Sequence, residues 1–134
     1  MQTKPYLTLG DAKAIANAAH TAATSNGWTV VIAILDAGAN LLYLERMDGT
    51  QIGSIQVAIE KAKTAVSFKR PTKILEDAVN GGRTHMLRLP GATPIEGGLP
   101  LIYQGEIVGA IGVSGVQSFE DGIVAKAGAD VLTA

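Results

Sequence analysis

TPIEGGLPLIYQGEIVGAIGVSG, residues Thr93 to Gly115, is the stretch from which the fold can be read. Two apolar runs, Leu99 to Tyr103 and Ile107 to Val113, flank the pair Gln104-Gly105. Apolar runs of strand length joined by a short glycine-bearing turn predict a β-hairpin. Gly109 and Gly112 interrupt the second run. Glycine weakens a strand interior, so two of them signal close approach, either by a tightly packed helix or by a ligand.

The rest of the chain supplies what packs on this hairpin. WTVVIAILD, Trp28 to Asp36, is a continuous apolar and β-branched run that reads as a central strand covered on both faces. Asp36 to Asn40 is a turn, and Leu41 to Met47 pairs antiparallel with the central strand. Upstream, Thr8 caps a helix with Asp11 in its first turn. Leu9, Ala12, Ile15, Ala16, Ala19, Ala22 and Ala23 recur along it at helical spacing, and Gly27 ends it.

Downstream, Ser54 caps a second helix that runs to Phe68. Ile55, Ile59, Ala62 and Val66 mark its inner stripe, with Glu60, Lys61, Lys63 and Thr64 toward water. Pro71 breaks it, and Thr72 caps a shorter helix reaching Asn80. Arg83 to Gly91 is irregular or a single helical turn. After the hairpin, Ser118 with Asp121 resembles a capping box opening a last helix. Antiparallel strand pairs flanked by helices make the class α+β, not an alternating parallel sheet.

At 134 residues the chain suits a single domain with a real core. Only 17% of residues are charged and the net charge is −1, which gives no general field for DNA, RNA or an anionic membrane. The absence of cysteine excludes disulfides, a thiolate zinc cluster and a thiol nucleophile. No run approaches the ~18 apolar residues of a membrane span. The N-terminal segment MQTKPYLTLGDAK has no apolar core of signal length, so a cytoplasmic location is expected.

Three segments together resemble one known family: VVIAILDAGANLLYLERMDG (Val30 to Gly49), AIEKAKTAVSFKRPT (Ala58 to Thr72) and LPGATPIEGGLPLIYQGEIVGAIGVSG (Leu89 to Gly115). The chain is similar over almost its whole length to the GlcG/HbpS family, which is related to the C-terminal domain of PduO-type proteins. The resemblance implies a profilin-like α+β domain with an antiparallel sheet of about five strands. It also implies a homo-oligomer and haem binding. For other members it implies a place in catabolic pathways acting on small unsaturated organic acids.

Several residues could carry chemistry. His20 sits one step off the alanine stripe of the first helix; neutral imidazole suits haem iron. Its position resembles the one that holds haem in some relatives. His85, between Arg83 and Arg88 in the irregular stretch, is a second proton carrier. Arg46, Asp48, Lys63, Arg70 and Arg83 form the anion-binding set, with Lys63 and Arg70 spaced for one helix face. Glu96, held between Pro94 and Gly97-Gly98, becomes a general base if its surroundings are partly apolar. Ser114-Gly115, before the last helix, could hold an anion. Two widely spaced histidines match no familiar metal site.

Three functions are therefore open. The first is a small cytoplasmic haem- or tetrapyrrole-binding homo-oligomer using His20, with the apolar strands as cover. The second is a cofactor-independent enzyme for a small unsaturated or oxo carboxylic acid, Arg46 holding it while Glu96 or His85 moves protons. The third is a docking module without pocket chemistry.

Overall fold

The computed structural model describes residues 1–133. Helix α1 (Leu9–Ser25) leads into strands β1 (Val31–Asp36) and β2 (Leu41–Arg46). Helices α2 (Gly53–Phe68) and α3 (Thr72–Asn80) and a 3-10 turn (Thr84–Arg88) follow. Strands β3 (Gly98–Tyr103) and β4 (Glu106–Ser114) form the closing hairpin, and α4 (Ser118–Ala129) runs into a last 3-10 turn (Asp130–Leu132). Every strand pairing is antiparallel, and the sheet order is β2-β1-β4-β3.

The hairpin and the central strand stand as the sequence predicts, but the sheet has four strands instead of about five. The segment between α3 and β3 has no alternating apolar pattern, and its Pro90 and Pro94 lack the amide that a ladder needs.

Alternation along β1 explains the unbroken apolar run. Ile32 and Ile34 face α1 and α4, packing with Ile15, Ala16, Ala19, Ile111, Val113 and Val124. Leu35 packs with Ala62, Ala65, Val66 and Ala110, while Val31 and Ala33 pack with Ala58. Helix α2 therefore covers the second face, and small residues on both sides let it lie close. Gly112 is part of this fit: a Cβ there would overlap the Ala58 carbonyl. Gly112 thus serves helix packing, whereas a Cβ at Gly109 would overlap the Leu35 carbonyl of β1 and the Leu7 side chain.

Local chemistry sets the helix ends. The Asp11 amide donates to Thr8 Oγ1 at 3.1 Å, the expected cap, and the Thr8 amide donates to Asp11 Oδ2 at 2.9 Å, which makes the pair a capping box. The Thr8 amide and then the Thr8 hydroxyl, both donating to the Asp11 carboxyl, hold it below its usual value. For α4 the box lies one residue earlier, between Gln117 and Glu120. Asp121 is thereby released to turn inward. Ser54 does not cap α2; it is buried inside the first turn and accepts hydrogen bonds from Gln51 and Ser114. Thr72 opens α3 from within, its hydroxyl accepting the Gly98 amide at 2.9 Å, which ties α3 to β3.

The inner face of α2 is wider than the sequence expectation. Ala62 and Val66 are buried as expected and Ile55 and Ile59 are half-buried, but Ser54, Ala58, Lys61, Thr64 and Ala65 are buried with them, so Lys61 and Thr64 do not face water. Lys61 Nζ donates to Asp121 Oδ2 and to the Val113 carbonyl, both at 3.0 Å. Burial pushes the Asp121 carboxyl up, while the Lys61 ammonium and the Val116 amide pull it back.

Candidate functional site

Two depressions hold the sequence-predicted chemistry, and they lie on opposite sides of the fold. The first is on the β2 edge. Lys13, Asn17 and His20 follow one stripe of α1 at helical spacing, and Tyr43 and Glu45 lie two apart on β2. Together they line an open hollow of about 540 Å³. His20 Nδ1 lies 2.7 Å from Glu45 Oε2, with side-chain exposures of 44% and 22%. The Tyr43 hydroxyl donates to the other Glu45 oxygen at 3.4 Å. Burial first, and then the Glu45 charge, raise the Tyr43 phenol above its ordinary value.

In a neutral ring, the proton on His20 Nδ1 faces Glu45 and the Nε2 lone pair is left for a ligand. A carboxylate behind a ligating imidazole fixes both tautomer and ring orientation. No partner for His20 is legible in the sequence, because Glu45 is 25 residues away and on another element.

The second depression, about 380 Å³, lies between the start of β3, α3 and α4, and Glu96 lines it. The Glu96 amide donates to Glu76 Oε1 at 3.2 Å. Burial raises the Glu96 carboxyl, with Glu76 and Asp77 adding to the rise and Lys73 and Lys61 opposing it.

The remaining candidates are not gathered here. Arg46 ends β2 and Glu96 precedes β3, on opposite edges of the sheet. Three strand spacings of ~4.8 Å part those edges, about 14 Å. Glu96 lines the second depression and Arg46 lines neither, so the two share neither hollow. His85 is exposed in the 3-10 turn, outside both depressions. Arg70 lies beyond the left-handed cap Lys69, so it does not share a helix face with Lys63. Ser114 is buried and its hydroxyl is bonded to Ser54, which removes it as an anion site. Among the described residues no three His, Cys, Asp or Glu side chains are grouped to hold a metal ion.

Comparison with known proteins places this architecture. The family described as haem degrading protein HbpS-like matches residues 7–130. This chain belongs to that family. Protein GlcG of Escherichia coli K12 is 44% identical over 114 residues, spanning 85% of each chain. A double mutant of Streptomyces reticuli HbpS superposes with a TM-score of 0.88 at 35% identity, covering 98% of this chain and 90% of that one. The crystal structure of a PduOC:heme complex superposes with a TM-score of 0.84 at 27% identity, covering 93% and 94%.

The donor set on the β2 edge fits haem. It offers an imidazole with a carboxylate behind it, and Lys13 on the same stripe for a propionate. The cover expected from the apolar strands is absent: both sheet faces are closed under the chain's own helices.

Proposed function

We propose that this member of the HbpS-like family binds haem, or a related iron tetrapyrrole, on the β2 edge through His20 Nε2. The observation that carries the proposal is the 2.7 Å contact between His20 Nδ1 and Glu45. Glu45 holds the ring with Nε2 outward, and Tyr43 steadies the carboxylate from its other oxygen. Lys13, two turns back along α1, pairs with a propionate. When bound, the haem supplies a redox-active iron to this surface. Because the hollow is open, a neighbouring copy of the chain closes its outer side, so the working form is a homo-oligomer. The family description and the haem complex of a relative at this similarity support the reading.

Titration of the purified apoprotein with ferric haem tests it. The wild-type protein is expected to saturate with a shifted Soret band. His20→Ala is expected to lose about tenfold or more in affinity, and Glu45→Gln to lose about 10- to 100-fold as the ring loses its orienting partner. His85→Ala is expected to bind as wild type does. Equal affinity of His20→Ala and wild type overturns the assignment.

A further inference from the structure

The Glu96 crevice is a separate site whose ligand class follows from its charges. We propose that it binds a small organic amine in its ammonium form, with the Glu96 carboxylate as counter-ion and a short apolar tail on the crevice wall.

The cations around the crevice are already neutralised by partners of their own. Lys61 pairs with Asp121 at 3.0 Å, Lys73 with Asp77 at 3.1 Å and Lys126 with Asp130 at 2.7 Å. Glu96 and Glu76 are left, and no ion pair among the described residues involves either. Glu76 is engaged by the Glu96 amide. The crevice wall therefore carries one carboxylate outside any ion pair, Glu96, an acceptor only when ionised, in a partly desolvated place with the charge of Glu76 behind it. Three lysines face three aspartates with Glu96 and Glu76 in excess, so the surroundings of the crevice are net negative and favour an ammonium ion over an anion. In the sequence-based reading Glu96 moved protons on an acid held by Arg46; here it is the counter-ion of an amine.

Shape points the same way. Pro71, Leu99 and Ala129 give the walls apolar surface. The hollow of about 380 Å³ equals about a dozen water volumes of ~30 Å³, enough for a short aliphatic chain and a few waters. The carboxylate is seated by Gly122 on α4, where a Cβ would overlap Glu96 Oε2. The obstacle is the far end of a flexible side chain, so alanine there displaces the carboxylate and spares the backbone. Alanine is also the better helix former. Gly122→Ala is thus a variant that keeps the fold and moves the proposed counter-ion.

The test is a titration of the ¹⁵N-labelled protein with n-butylamine at pH 7, with butyrate and butanol in parallel, followed by amide shifts. Saturable shifts at Gly97, Gly98 and Gly122 are expected with butylamine alone. Glu96→Gln and Gly122→Ala are each expected to weaken binding about tenfold or more, with the melting temperature of Gly122→Ala unchanged or raised. His20→Ala is expected to bind the amine normally, so failure of the haem assignment leaves this one standing, and the reverse. Butyrate binding as well as butylamine, amine binding indifferent to Glu96→Gln, or no saturable shift at tens of millimolar amine each overturns the proposal.

Discussion

Lys61→Met is expected to destabilise the protein by about 3–5 kcal/mol, the usual cost of leaving a buried charge without its partner. Lys61 and Asp121 are 2% and 3% exposed, so water cannot replace the lost ammonium. The Val113 carbonyl also loses the donor that ties α2 to β4. Lys61→Met combined with Asp121→Leu is expected to recover most of the loss, because it removes the stranded carboxylate and fills the space with apolar atoms. Urea denaturation of the three proteins measures this. A single variant as stable as wild type would show that the pair contributes little. The loss also has a predicted pH dependence. Asp121 is held above the ordinary carboxylate value by burial, and removing Lys61 lifts it further. Between the unfolded value of about 3.9 and the raised folded value, the folded state binds more protons than the unfolded one, so stability falls as pH rises. The deficit of Lys61→Met is therefore smallest near pH 4 and grows toward neutrality.

Gly112→Ala is expected to cost about 3 kcal/mol or more, at or above the upper end for an overpacked core. The added Cβ overlaps the Ala58 carbonyl and comes within 2.8 Å of the Ala62 amide. Both are backbone atoms of α2, so no side-chain rotation relieves the clash. The helix must withdraw from β4, loosening Ala33, Ala110 and the seat of Lys61 together. Gly53→Ala is the matched control: nothing lies within 4 Å of its Cβ position, and the change should be neutral or stabilising. A fall in melting temperature of roughly 10 °C for Gly112→Ala, and none for Gly53→Ala, is the expected pair of results.

What was legible in the sequence was periodic or local. The hairpin around Gln104-Gly105, the strand ending at Asp36 and the Thr8 cap all depend on neighbours in the chain, and all stand in the fold. Lys61 was not legible because a lysine inside a helix reads as a solvent-facing residue, and the carboxylate that holds it is 60 positions away. The same aspartate was misread as a cap, since Asp121 follows Ser118 at the spacing of a capping box while Gln117 and Glu120 form the real one. His20 stood out by its type. Its significance comes from Glu45, which only the packing of α1 on β2 brings to it. Arg46 and Glu96 looked compatible with one pocket until the strand order put them on opposite edges.

Chemical rescue of the haem ligand tests the central assignment most directly. In His20→Gly the imidazole is removed and its space is left open. The haem complex of this variant is expected to show a Soret band displaced from that of wild type, and millimolar imidazole is expected to return the band to the wild-type position. A His20→Gly complex that keeps the wild-type spectrum before any imidazole is added would contradict the account.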